Sequence, residues 1–384
     1  MQHAAKTEFS AAYTGIVAVA VSNVLPALAG ILALDLGWNA QTIGRFASAD
    51  SIGSLMGTLL ASAFMGRQSF RTLTVAGLAV LVLADVASGL FNSATLMVAA
   101  RLVGGVGGGL AMSISFAVFA VTRPERGIAL WSIGQLVFGF FAITALPALT
   151  AALGWQTAFF GLAVFVIPGL ILARNLPQKP TMQHADAPAP QPPLAIGLPV
   201  AVAIVGVALF YCGQGEFWPY LEVVGLASGI ARKSVEVSLS VSAASAIAGS
   251  TLVLLAGRRF GYTVPVLASF AVTIAAILSI HSADPAVFRV AIAAFTFAWP
   301  IFAAYQFALI AARNPSARVA AFVTTANWAG LVAGPLVTGQ LIESGMDGSV
   351  RWLAIALDAT ALCSVMPLMR RHRPQTAITA RAET

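Results

Sequence analysis

The sequence predicts an all-α integral membrane protein, with twelve transmembrane helices in two pseudo-symmetric six-helix bundles. Three observations carry that prediction. Of 384 residues, 59% are hydrophobic and 9% charged, against roughly 25% charged in soluble proteins, and the mean hydropathy is +0.88. Apolar runs long enough to cross a hydrocarbon layer of about 30 Å recur along the whole chain, without the alternation that a β-barrel needs. Landmarks in the first half of the chain also return in the second.

The spans are expected, in order, over residues 10–34, 40–65, 72–91, 94–121, 127–153, 155–174, 194–225, 234–256, 262–281, 286–312, 317–343 and 350–369. The first run is long and contains Ser22 and Asn23, which marks a retained helix rather than a cleavable signal peptide. The second and third contain the carboxylates Asp50 and Asp85, and the fourth combines Arg101 with "GGVGGG". The seventh ends in "FYCGQGEFWPYLEVVG", where Gly213, Gly215 and Pro219 interrupt the helix. Proline lacks the amide donor and clashes with the preceding turn. Such broken spans point to sites in transporters, and this one is expected to form part of an outer gate.

The formal charge of +7 reports orientation. With the N-terminus inside, the inner segments hold Lys6, Arg67, Arg71, Arg123, Arg126, Arg174, Lys179, Arg258, Arg259, Arg313, Arg318, Arg370, Arg371, Arg373 and Arg381, and the outer loops hold Arg232, Lys233 and Arg351. That bias of 15 to 3 places both termini in the cytoplasm, and no nucleic-acid partner is implied. Cys212 and Cys363 fall within spans and give neither a disulfide framework nor metal spacing.

Between the sixth and seventh spans, "RNLPQKPTMQHADAPAPQPP" is polar and proline-rich, the composition of a semi-extended linker. The chain is therefore divided into a bundle over 1–174, a cytoplasmic linker over 175–193, and a second bundle with a short tail over 194–384. The halves echo each other. Gly66 and Gly257 lie 191 apart, Arg126 and Arg318 lie 192 apart, and Pro147 and Pro335 lie 188 apart, each in a similar local setting. A duplicated six-helix unit is the arrangement that builds a midplane site between repeats.

The glycines after Arg101 lack G-x-G-x-x-G spacing and a strand-turn-helix context, so they do not read as a phosphate loop. Gly104 with Gly108, and Gly105 with Gly109, instead give small faces on which helices approach closely. Arg101 lies about seven residues into its span, roughly 10 Å deep. It either snorkels outward or, as rare intramembrane guanidiniums usually do, faces a buried partner. Asp50 and Asp85 are the candidates. Asp358, deep in the last span, reads as a packing or pairing group. Glu222 reads as a headgroup carboxylate beside an aromatic belt, and Glu216 stands between that reading and a site role.

Twelve spans, a central linker, paired Gly-Arg loops and "RLVGGVGGG" together resemble the major facilitator superfamily over nearly the whole chain. Its fourth-helix motif, R-x-x-x-G-x-G, is matched by Arg101, Gly105 and Gly107. The loop "SAFMGRQSFR" lacks the acid this family usually places ahead of its Gly-Arg cluster, and "GQLVFGFFAITALPALT" matches the fifth-helix antiporter motif poorly. The resemblance implies a central cavity lined by the first, fifth, tenth and eleventh helices. Polar or aromatic residues deep in the spans, each also suited to helix–helix contact, are then the substrate candidates: Asn23, Gln135, Tyr211, Gln214, Trp218, Trp299, Tyr305, Gln306, Asn327 and Trp328. Proton coupling is assigned to Asp50, Arg101, Asp85 and Glu216.

The expected function is secondary transport of a small amphipathic or aromatic molecule by alternating access, as proton-coupled efflux from a bacterial plasma membrane by a monomer. Proton-linked uptake of an organic acid, with Arg101 as the anion contact, is the first alternative. A non-transporting receptor or scaffold is the second. No nucleophile arrangement, metal cluster or cofactor motif is expected, so an enzyme is disfavoured. A channel is disfavoured because no filter-like segment repeats between halves. A cysteine introduced near His184 should resist an impermeant thiol reagent applied to intact cells, and react once the membrane is opened. Labelling from outside would reverse the predicted topology.

Overall fold

The computed structural model describes residues 2–65, 67–122, 124–178, 196–257, 259–314 and 317–370. Most of the 175–193 linker therefore lies outside the described residues. Fourteen α-helices are present: α1 (Gln2–Ala18), α2 (Ala20–Leu36), α3 (Ala40–Phe64), α4 (Phe70–Leu90), α5 (Ala94–Val121), α6 (Pro124–Leu153), α7 (Gln156–Leu172), α8 (Leu198–Phe217), α9 (Leu221–Ala227), α10 (Arg232–Ala256), α11 (Thr263–Ser279), α12 (Pro285–Arg313), α13 (Ala317–Glu343) and α14 (Asp347–Arg370). The pairs α1/α2 and α8/α9 are each one crossing in two pieces, which leaves twelve crossings. Among the described residues, nine are both long and apolar enough to span a bilayer on those grounds alone.

The first crossing departs from expectation. It starts at Gln2, not near residue 10, and breaks at Val19, whose φ of −113° and ψ of 14° leave the helical range. The extra turns are retained because they bury polar groups usefully. Glu8 is almost fully buried and lies 3.5 Å from Arg126 at the start of α6, and Ser10 accepts a hydrogen bond from Asn175. The seventh crossing is interrupted at Pro219 as expected, by a 3-10 turn over Trp218–Tyr220 between α8 and α9, whereas Gly213 and Gly215 lie inside the continuous α8 and do not break it. Other ends are set by local chemistry. Asn39, Ser69 and Asp284 accept amide hydrogens at the starts of α3, α4 and α12, satisfying donors that have no partner within the helix. Gly37 closes α2 with φ of +63°, a conformation that suits glycine.

The two halves repeat one packing scheme. In the first, α5 lies against α3 and α4, and α4 lies against α7; in the second, α12 lies against α10 and α11, and α11 against α14. The halves meet through α3 with α13, α6 with α10, and α2 with α9 and the adjoining turn. Hydrogen bonds between halves gather away from the chain termini. The Ser48 hydroxyl donates to the Val332 carbonyl at 2.8 Å, and Thr144 to Ser240 at 3.0 Å. The Tyr220 hydroxyl lies 3.0 Å from the Ala40 carbonyl and 2.8 Å from that of Pro335. The molecule is closed at this far end.

The α3–α5 seam is built from glycines. A Cβ on Gly105 would strike the Asp50 carbonyl, and one on Gly109 would strike that of Ser54. From the other side, Gly53 faces the Leu102 carbonyl and Gly57 that of Val106. Overpacking against backbone costs about 1–3 kcal/mol. Gly109→Ala should therefore lower the Tm of the purified protein, while Gly348→Ala, where an added Cβ meets nothing, should leave it unchanged.

Candidate functional site: a buried ion cluster beside an aromatic wall

The Arg101 side chain has no exposed surface. It does not snorkel. One turn further along α5, Gly104 makes room for it: a Cβ there would lie 2.9 Å from a guanidinium nitrogen. The guanidinium is 2.8 Å from Asp85 on α4 and 3.9 Å from Asp50 on α3. The Asp85 contact is an ion pair at hydrogen-bond distance, and Nε and Nη1 of Arg101 have no hydrogen-bond acceptor among the described residues. Two carboxylates and one guanidinium thus share a buried pocket, with Asp50 slightly exposed and Asp85 sealed. Isolated charges are very costly in such a place.

Ser22 on α2 connects this cluster to the other half. Its hydroxyl donates to Asp50 Oδ2 at 3.2 Å, and its carbonyl accepts the Trp218 indole N–H at 2.9 Å. Trp218 sits edge-on to Trp299, with ring centroids 6.0 Å apart, and Trp299 meets Tyr211 at 6.1 Å. Tyr211 stacks on Phe307. An aromatic wall on α8 and α12 therefore begins one residue away from a carboxylate held by an arginine.

The chain matches the Major Facilitator Superfamily over residues 11–335. It belongs to that superfamily. A curated relative, the uncharacterized MFS-type transporter Rv1250 of Mycobacterium tuberculosis, is 34% identical over 119 residues. The match covers 30% of this chain and 21% of that relative, so the chain spans about a fifth of its length. Among solved structures, the nucleoside transporter NupG has a TM-score of 0.72 at 11% identity, covering 97% of this chain and 100% of that one. The xylose transporter XylE from E. coli, in a partially occluded inward-open conformation, has a TM-score of 0.73 at 12% identity over 94% and 98% of the two chains. These structures establish the shared fold. A superfamily fold of this kind carries secondary transport by alternating access.

Within the superfamily fold, the candidate residues separate into groups. Asp50, Asp85 and Arg101 come together, as do Tyr211, Trp218 and Trp299. Asn23 and Gln135 are half-buried on α2 and α6, with Asn23 packed near Gly139. On α13, Asn327 is half-buried and Trp328 buried. The other four are Tyr305, Gln306, Gln214 and Glu216. Tyr305 donates to the Gly257 carbonyl and lines a groove of about 270 Å³ between α10, α11 and α12. It therefore lies apart from the aromatic wall. Gln306 is fully buried with neither amide atom partnered. Gln214 turns to α14, where its amide donates to Asp358 at 3.5 Å. Glu216 is also fully buried, apart from the arginine cluster.

Glu222 overturns the headgroup reading. It is 1% exposed and abuts Gly30 of α2, which has no side chain to displace it. The broken seventh crossing shifts it into the closed far-end contact. Ser22 gave little sign of its bridging role, because an isolated serine in an apolar run is unremarkable. Its proximity to Asp50 arises from tertiary packing alone.

Removing Arg101 would leave Asp85 and Asp50 without a counter-charge, a change that costs about 3–5 kcal/mol when a buried pair is broken. Arg101→Ala should sharply reduce the yield and Tm of folded protein. Adding Asp85→Asn to that variant should recover part of the loss, as measured by size-exclusion profile and thermal unfolding. No recovery would mean that the two side chains are energetically independent.

Proposed function

We propose that this chain is a proton-coupled exporter of small amphipathic or aromatic molecules in a bacterial plasma membrane. The observation that supports this reading is Ser22, which touches the Asp50 carboxylate with its hydroxyl and Trp218 with its carbonyl. A proton arriving at Asp50 cancels its attraction for Arg101 and removes the anionic acceptor from the Ser22 hydroxyl. The same residue holds an indole of the aromatic wall and spans the contact between halves. Loading a proton can thereby alter both substrate contacts and the far-end closure. Asp50 is the first choice for the proton because it is the more accessible carboxylate, and Asp85 is the second.

The aromatic wall supplies apolar area and π-faces with few fixed charges, which suits amphipathic or ring-bearing molecules. Asn23, Gln135, Asn327 and Trp328 would provide the remaining contacts. The positive-inside bias puts the termini in the cytoplasm, so closure at the far end leaves the cytoplasmic side as the route of entry. The bundles over 1–174 and 194–384 would rock about the 175–193 linker, within one monomer.

The test is flux in proteoliposomes under an imposed proton gradient, with a panel of aromatic amphiphiles, nucleosides, pentoses and organic acids. Aromatic amphiphiles should move against the proton flow. Asp50→Asn should keep substrate binding and lose gradient-driven accumulation. Full transport with intact pH dependence in Asp50→Asn would remove Asp50 from coupling, and uptake of organic acids would reverse the direction proposed.

A further inference from the structure

A second group of buried carboxylates sits in the other half, and among the described residues no arginine pairs with it. Glu216 on α8 is fully buried, and neither carboxylate oxygen has a hydrogen-bond partner. Asp358 on α14 is 1% exposed, and its Oδ2 is unpartnered. The two interact electrostatically. Gln214, on the same helix as Glu216 and also fully buried, donates its amide nitrogen to Asp358 Oδ1 while its carbonyl oxygen finds no donor. Four acceptor oxygens on these three buried side chains are thus left without a hydrogen-bond donor. Gly213 allows the approach, since a Cβ there would lie 3.0 Å from Asp358 Oδ1.

The end of α8 also carries a freed carbonyl, on the side that faces α13. Pro219 has no amide hydrogen to give the Gly215 carbonyl four residues earlier. Freed carbonyls at broken helices coordinate cations in other transporters. Hard oxygen donors of this kind select hard cations.

We propose that Glu216, Asp358 and Gln214 form a binding site for a small monovalent cation, Na⁺, between α8 and α14. Two carboxylates without a basic partner carry a formal charge of −2, which one cation and one proton neutralise. A single proton would satisfy one oxygen, whereas a cation meets several at once. Calcium usually takes six to eight oxygens, more than this site offers. The inference goes beyond the export reading and stands on the α8–α14 geometry, so it survives even if Asp50 carries no proton.

The experiment uses the full chain in nanodiscs, without any transport substrate. Saturable binding of ²²Na⁺ is measured by scintillation proximity, and thermal unfolding is followed as NaCl replaces choline chloride at constant ionic strength. Na⁺ should raise Tm by about 2–4 °C and saturate, with K⁺ and choline inactive. Glu216→Gln, Asp358→Asn and Gln214→Ala should each weaken ²²Na⁺ binding at least tenfold, while Asp50→Asn keeps it. Should those variants fail to fold, the wild-type ²²Na⁺ isotherm decides alone. Absence of saturable binding, or a Tm that responds to pH but not to Na⁺, overturns the site in favour of protons. Loss of binding in Asp50→Asn with retention in Glu216→Gln would move it to the other half.

Discussion

A guanidinium without exposed surface, deep in an apolar helix, must be neutralised where it stands. Much of the first half is arranged around that requirement for Arg101. Gly104 leaves space for the group, Asp85 meets it from α4, and Asp50 meets it from α3. Asp50 can reach it because the Asp50 carbonyl rests against Gly105. Packing and charge therefore fix one another: the glycine face brings α3 close enough for its carboxylate to act, and the ion cluster rewards that closeness. Ser22 then extends the arrangement to Trp218 and into the second half.

The two halves share a packing scheme but not a chemistry. α5 against α3 and α4 is mirrored by α12 against α10 and α11, in keeping with the landmarks that recur between the halves. The buried charges are not mirrored. The first half holds an arginine between two acids, and the second holds two acids with a glutamine. Scaffold positions tolerate repetition because apolar volume can be met by many residues. A buried charge needs a specific partner, so each half can be specialised by few substitutions.

That difference explains what could be read in advance. Span number, the repeat and the break at Pro219 were legible because they rest on long apolar runs and on backbone chemistry local to the sequence. Arg101 with its two acids was legible because charges are conspicuous against such a background. The first crossing was misread at its start, since a charge such as Glu8 ahead of the apolar run looks like a helix boundary until Arg126 is seen beside it. Glu222 was misread for a similar reason: aromatic neighbours suggest a headgroup belt, whereas Gly30 on another helix supplies its pocket. Tyr305 and Gln214 lie at depths suited to a cavity, but their hydrogen bonds go to Gly257 and Asp358. Depth follows from position along the chain, but azimuth depends on how twelve helices settle together.

The glycine seam between α3 and α5 has a mechanical consequence. Where backbone meets backbone there is no layer of side chains to shear or compress, so the two helices form a stiff strut. Ser48, which binds the opposite half at Val332, lies on the same helix as Asp50 and close to it in sequence. A displacement entering at that contact would reach Arg101 through the strut, which would tie separation of the halves to disturbance of the ion cluster.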